Sequence, residues 1–277
     1  MRYPARATVT RMTFPGVAGV QMVMDLPVCV DIRTALPERE LTPLLDDAFS
    51  WLRWVEDTFH PDREDSQIAR LNRGQTIDQV PEVVEILHRC DTLHEATGGW
   101  FDGRAGSRLD PMPYVRGWAV ERLSRALTIA GAVDHRVSAG HDLRVRGSSS
   151  PGRRWRLDVR DPYDGVTTRV LFPHDAAVAT AGGSEFSGDG RAWVCVIGPD
   201  LGVAGAYASA MHAMGTARAR RFAMRLAADP SAGAAPHPGA GWSGGAQPYQ
   251  SMVVGPDGRA TLTPGFTTYD AETRLAG

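Results

Sequence analysis

Apolar positions along the chain fall into two regimes. The segment VCVDIR (28–33) predicts a strand, and residues 37–59 then carry Leu41, Leu44, Leu45, Ala48, Leu52, Val55 and Phe59 on one helical face. A loop is expected over 60–74, HPDREDSQIARLNRG. A second helix is predicted from Pro81, a favoured first helical residue, to the stop at Gly98-Gly99, and a third over 114–131, closing on Gly131. Beyond residue 150 the period changes. Trp155, Leu157 and Val159 alternate onto one face, as in a half-buried strand. Further strands are predicted at TRVLF (168–172), DAAVATA (175–181) and AWVCVIG (192–198). Helices follow at 203–215 and 217–228. SMVVGPDGRATLTP (251–264) reads as a hairpin around Asp257-Gly258, after a Pro/Gly-rich loop at 229–248. Helices and antiparallel-looking strands alternate in blocks, which predicts an α+β or layered α/β fold. Residues 1–23 read as an N-terminal extension and 24–277 as a single domain.

One stretch sits badly in this pattern. LGVAGAYASAMHAMG (201–215) is an alanine-rich helix with Gly205 in its first turns, and glycine is the poorest helix former after proline. A residue with a working side chain is the natural occupant of such a place.

Composition narrows the chemistry. The 277 residues carry a net charge of −2 with no basic stripe, so nucleic acid is not an expected partner. All 30 basic residues are arginine, which excludes Schiff-base and lysine general-base chemistry. Cys29, Cys90 and Cys195 are widely spaced, form no Cys-x-x-Cys pair and sit among apolar residues, as small buried hydrophobes do. The first twenty residues are too broken by charge and proline for a signal peptide, and no apolar run approaches a membrane span. A soluble, cytoplasmic protein is expected.

Seven short elements, in order, carry a resemblance that no one of them would carry alone. They are MDLPVCVDIR (24–33), DSQIARLN (65–72, with Ser66, Arg70, Leu71 and Asn72), GGWFD (98–102), LDPMPYVRGWAVERL (109–123), SAGHDLRVRG (138–147), AVATAGG (177–183) and VIGPDLGVAGAYASAMHAMG (196–215). Together they resemble the ApbE family of FAD:protein FMN transferases from about Met24 to Gly265. The resemblance implies two layered α/β subdomains with an FAD site in the cleft between them, and a magnesium ion bridging the FAD pyrophosphate and the attacking group. It places Trp100, Phe101, Asp102, Asp110, Arg116 and Thr180 at the cofactor. Trp100 is the candidate for stacking on a ring, whereas Phe101 also reads as a core side chain. In the family motif Ala-Asp-Ala-x-x-Thr-Ala, an Asp and a Thr one turn apart offer two hard oxygens to the metal. Here Gly205 stands at the Asp position and Ser209 at the Thr position, so Ser209 is left as the metal candidate, against an alanine-like packing role.

Other departures accumulate. Asp25 and Leu26 replace the Gly-Thr of the family's opening Met-Gly-Thr strand, its His-x-x-Asp-Pro loop is reduced to GGSEFSGDGRAWVCV (182–196), the family lysine is Arg116, Pro113 replaces a glycine, and His141 replaces the second glycine of Gly-Gly-Asp. His60 and Asp62 stand where the family prefers serine and an aromatic; with His141 they read either as a new metal site or as solvated loop residues. The expected function is a diverged member that keeps a flavin or nucleotide cleft but has lost efficient FMN transfer. The alternatives are an active transferase attaching FMN to Thr or Ser of an acceptor protein, with substitute ligands from Glu185, Asp189 or Asp200, and a non-catalytic scaffold that binds a partner protein.

Overall fold

The computed structural model describes residues 8–11, 16–160, 167–182, 191–229 and 248–270. In chain order its elements are β1 (Thr8–Arg11), β2 (Val17–Val23), β3 (Leu26–Ile32), α1 (Glu38–Phe59), α2 (Gln67–Asn72), α3 (Pro81–Ala96), β4 (Arg104–Ala105), β5 (Arg108–Leu109) and α4 (Met112–Ile129). There follow β6 (His135–Ala139), β7 (Asp142–Arg146), β8 (Leu157–Arg160), β9 (Thr167–Leu171), β10 (Ala177–Ala181), β11 (Trp193–Gly198), α5 (Leu201–Met214), α6 (Thr216–Ala228), β12 (Gln250–Val254) and β13 (Ala260–Leu262). Nine strands form one sheet in the order β1-β2-β3-β6-β7-β10-β11-β12-β13, and every pairing in it is antiparallel. The α+β expectation is met.

Two apolar clusters explain why the central strands lack simple alternation. In β11, Val194 and Val196 enter the larger, helix-covered core, while Trp193, Cys195 and Ile197 enter a second core with Trp155, Leu171 and Phe266. A strand covered on both faces reads as an unbroken apolar run. In β2, second in the sheet order, cover is lost on one face, where Val20 and Met22 are 43% and 46% exposed.

Several expectations shift. Residues 17–23, read as part of an extension, pair with β3 along its whole length. The predicted loop at 60–74 contains α2, whose Ser66 N-cap hydroxyl accepts from the Ala69 N–H at 3.0 Å. Helices α4 and α5 each begin two residues earlier than their apolar pattern shows, α5 because Asp200 caps it by accepting from the Val203 N–H at 2.8 Å. The hairpin at 251–264 turns at Gly258, φ +71°, as its sequence predicts. The Pro/Gly-rich loop lies almost wholly outside the described residues.

Helices α4 and α5 cross at two glycines. A Cβ on Gly117 would lie 2.6 Å from the Gly202 nitrogen and 2.7 Å from the Leu201 carbonyl carbon, so the backbones touch. The same junction is clamped by a buried ion pair. Glu121 on α4 accepts from the Leu201 N–H at 2.9 Å and lies 3.4 Å from Arg144 on β7. Arg144, fully buried, donates to the Pro199 carbonyl at 3.0 Å. Both ends of the Pro199–Leu201 turn are therefore held. Gly117→Ala should lower stability by about 1–3 kcal/mol, because its methyl meets backbone that cannot yield. A urea melt with a reduced midpoint and unchanged slope would show it; a wild-type midpoint would mean the helices can part without cost.

Candidate functional site

Five pieces of chain meet around Asp142. The β2–β3 turn contributes Met24 and Asp25, both in the left-handed region at φ +56° and +63°. A two-residue hairpin demands that conformation, yet methionine tolerates it poorly. Surrounding contacts hold it. Met24 is fully buried and its N–H donates to Glu56 at 3.1 Å, while Arg116 Nη2 donates to its carbonyl at 3.2 Å. His60 Nδ1 accepts from the Asp62 N–H at 3.2 Å, which leaves Nε2 to donate to Asp25 at 2.7 Å.

Arg116, on the first turns of α4, connects this turn to Asp142, whose carboxyl feels its charge. Asp142 opens β7, and its Oδ1 accepts from the Thr180 N–H on β10 at 2.8 Å. From the far side comes α5: an ideal Cβ on Gly205 would sit 3.8 Å from the Pro113 carbonyl oxygen and 4.0 Å from Asp142 Oδ2, with nothing nearer. Gly205 therefore marks open space bounded by two oxygens. Burial lifts the Asp142 carboxyl to about 6, although the Thr180 N–H, His141 and Arg116 all pull it back down.

The expected cofactor residues divide into two groups. Arg116 and Thr180 meet at Asp142; Trp100, Phe101, Asp102 and Asp110 belong to the neighbourhood of α3. Phe101 is 2% exposed and packs in the main core, so its ring is not available to a ligand. Its backbone is fixed by Thr97 at 2.9 Å and His94 at 3.0 Å. Trp100 is 39% exposed, with the Arg218 guanidinium 5.3 Å from its ring centroid. Asp102 lines a cavity of about 460 Å³ with Cys90, His94, Arg104 and Leu109. The Cys90 thiol there is pushed up to about 12 by burial and by Asp91, Asp102 and Asp110. Asp110 accepts from the Met112 N–H at 3.2 Å at the start of α4, and its own N–H donates to Gly103 at 2.8 Å, so it links the two groups.

Ser209 lies half-buried one turn beyond Gly205 on the same face of α5, and His212 follows at the next helical step. Sequence reasoning passed over His212, although the spacing Gly205, Ser209, His212 displays it. Its Nδ1 donates to the Ala192 carbonyl at 2.8 Å, and its ring lies where a Cβ on Gly182 would be, 2.9 Å away.

No three His, Cys, Asp or Glu side chains converge in a metal-binding group among the described residues. His60 and Asp62 are held instead by Asp25 and by Arg108, which lies 2.7 Å from Asp62. Magnesium takes six oxygens with one or two carboxylates among them. Among the described residues the space at Gly205 offers one carboxyl, that of Asp142, and the Pro113 carbonyl, two of those six oxygens. A nucleotide fits better, since the Arg116 Nε–H is buried with no hydrogen-bond partner and suits a phosphate or carbonyl oxygen. Glu185 and Asp189, with the shortened loop that carries them, lie outside the described residues.

A nine-stranded antiparallel sheet, layered under crossed helices whose first turns face a strand-end carboxylate, defines an α+β protein with a polar site at its helix N-termini. A profile of the ApbE family matches residues 24–110 and 103–202, and the chain belongs to that family. It is similar to an FAD:protein FMN transferase of Vibrio cholerae, 26% identical over 98 residues that span 34% of this chain and 29% of that protein. The chain thus matches less than a third of that relative's length. Among solved structures it superposes on the ApbE protein of Thermotoga maritima with a TM-score of 0.75 at 15% identity, covering 96% of this chain and all of the other. The flavin transferase ApbE of Vibrio cholerae gives 0.71 at 15% identity, over 95% and 100%. The apo flavinyl transferase ApbE of Pseudomonas stutzeri gives 0.73 at 17%, over 95% and 97%. These likenesses establish the fold. No helix among the described residues is long and apolar enough to cross a membrane.

The raised Asp142 carboxyl sets a pH dependence. The folded state binds this proton more tightly than the unfolded chain, so stability contributed below pH 4 is lost as pH rises through about 6. Asp142→Asn keeps the acceptor for Thr180 and removes the titration. Its urea midpoint should exceed that of the wild type at pH 7.5 and approach it at pH 4; a constant difference across that range would refute the assignment.

Proposed function

We propose that the chain binds a flavin-type nucleotide, FAD or a close relative, beside Asp142, Arg116 and Thr180, and that it has lost efficient magnesium-dependent FMN transfer. The observation that carries this reading is the space at Gly205, where only the Pro113 carbonyl oxygen and Asp142 Oδ2 come within 4 Å of a Cβ position and no three metal-binding side chains converge among the described residues. Cleaving a phosphoanhydride is mostly positioning plus neutralisation of charge developing on oxygen. Ser209 keeps a hydroxyl, and a neutral hydroxyl does not replace an anionic ligand for a hard dication. In this reading Arg116 directs its unpartnered Nε–H at the nucleotide, Thr180 fixes the Asp142 carboxyl, and Trp100 and Asp102 border the ligand farther out. A cytoplasmic location belongs to the same proposal, resting on three unpaired cysteines.

A second reading, an active transferase attaching FMN to Thr or Ser of an acceptor protein, draws support from the similarity to FAD:protein FMN transferases. It needs ligands other than Asp200, whose carboxylate already caps α5. A scaffold that only binds partners accounts for neither the Gly205 space nor the orphaned Arg116 donor.

The separating experiment is Gly205→Asp. The new side chain meets only ordinary contacts, and replacing a helical glycine contributes up to about 0.5 kcal/mol. It also faces Asp142 carboxyl to carboxyl, which a cation relieves. Magnesium should therefore raise the melting temperature and FAD or ADP affinity of Gly205→Asp and leave the wild type unmoved. Incubated with FAD, magnesium and an acceptor protein, the wild type should show little covalent FMN, at least about a hundredfold below a family transferase. Gly205→Asp should stay near that background, because a metal alone does not orient the acceptor hydroxyl. Family-like labelling by the wild type would establish the second reading, and no magnesium response in either protein would show that this is not a phosphate site.

A further inference from the structure

We infer that the exposed face of α6, with Trp100 beside it, is a docking surface for an acidic segment of a partner protein. The helix runs TARARRFAMRLAA without a single acidic residue, and it divides cleanly into two faces. Ala219, Phe222, Ala223 and Leu226 are buried in the main core. Arg218, Arg221, Met224 and Arg225 are exposed, at spacings that put them on one face.

Several guanidiniums elsewhere in the molecule are compensated by carboxylates. Arg33 pairs with Asp31, Arg63 with Asp57, Arg108 with Asp62, Arg122 with Glu82 and Arg156 with Asp158. No carboxylate among the described residues pairs with Arg218, Arg221 or Arg225, in a chain whose net charge is −2. Three like charges within two turns of one helix repel one another. A surface that leaves them uncompensated is complementary to anions. Met224, 46% exposed, adds an adaptable apolar contact between them. Trp100 extends the surface from a second element. Gly98 and Gly99, at φ +65° and +83°, turn the chain so that the indole meets Arg218 with more than a third of its surface in solvent. Tryptophan and arginine are the residue types that most often anchor protein interfaces.

The dimensions select a peptide over other anions. Arg218 to Arg225 spans seven residues, about 10 Å of helix at 1.5 Å per residue. An extended chain covers that length in three or four residues, so two or three acidic side chains match the three guanidiniums. A nucleic-acid surface would need more phosphate contacts than three. A membrane-surface helix must insert its apolar face, and that of α6 is occupied by the core. This inference does not depend on the transferase reading.

The test is fluorescence anisotropy with the full chain and two labelled twelve-residue probes, one rich in Asp and Glu around a leucine and the other its Asn/Gln counterpart. The acidic probe should bind, more weakly as salt rises, and the amide probe should not. Arg218→Glu/Arg221→Glu should weaken binding at least tenfold. Arg39→Glu/Arg156→Glu, with the same charge change at two exposed sites elsewhere, should weaken it less than twofold, both variants melting as the wild type does. Equal losses in the two variants would reduce the effect to net charge and overturn the proposal. So would equal binding of both probes, or stronger binding to phosphatidylserine vesicles or to single-stranded RNA than to the acidic peptide. Arg221→Glu/Arg225→Glu, which leaves the Arg218–Trp100 contact in place, should weaken the acidic probe likewise with FAD affinity unchanged, which keeps this result separate from that of the nucleotide site.

Discussion

The buried pair of Glu121 and Arg144 is the constraint on which the site depends. Each charge would be costly alone in the core, and the pair is sustained because each also satisfies backbone around residues 199–201. Burial raises the Glu121 carboxyl and the Arg144 guanidinium lowers it, so the pair is a balance of large opposing terms. Its structural consequence is specific. One partner stands on α4 and the other on β7, and the chain they grip leads from β11 into α5. Helix, sheet and the first turn of α5 are thereby placed in a common frame.

Within that frame two glycines set the spacing and a third opens the site. Gly117 and Gly202 let α4 and α5 touch at the backbone, which brings the Pro113 carbonyl close to the first turn of α5. Asp142, one strand residue from the β6–β7 turn, then faces Gly205 across a gap of about one side chain. Two helix N-termini share this region, and their partial positive charge suits an anionic ligand. Arg116 adds a formal charge and fastens the strained Met24–Asp25 turn to the same place.

The departures from the family motifs prove to be locally coordinated. Asp25 replaces a glycine in a turn that demands positive φ, and His60 stands where its imidazole receives the Asp25 carboxylate. These changes are read separately in the sequence; in the folded chain they are one contact. Asp62, which the sequence offers either as a metal ligand or as a solvated loop residue, is drawn to Arg108. Changes 35 positions apart thus compensate each other, and none of them builds a convergent set of ligands among the described residues.

Helices α1, α3, α4, α5 and α6, the strands from β8 onward and the family motifs were all legible in the sequence, because each is encoded by local periodicity, caps or ordered short patterns. The short helix α2 escaped notice since its two buried residues are too few to display a period. Strand β2 escaped because Val20 and Met22 put apolar residues on its exposed face and hide the alternation of a half-buried strand. Gly205 could be recognised as anomalous from helix propensity alone. Its surroundings could not, since Pro113, Asp142 and Thr180 lie 25 to 92 residues away from it along the chain and are united with it only by the helix crossing and the strand order. Phe101 shows the same division from the other side: its motif assigned it to the cofactor, and packing claimed it for the core. The sequence by itself determined most element types and the family and marked Gly205, because local interactions write these directly into residue order. Only the tertiary structure decided which polar groups face one another, because burial, helix crossing and strand register join residues whose order in the chain says nothing of their distance.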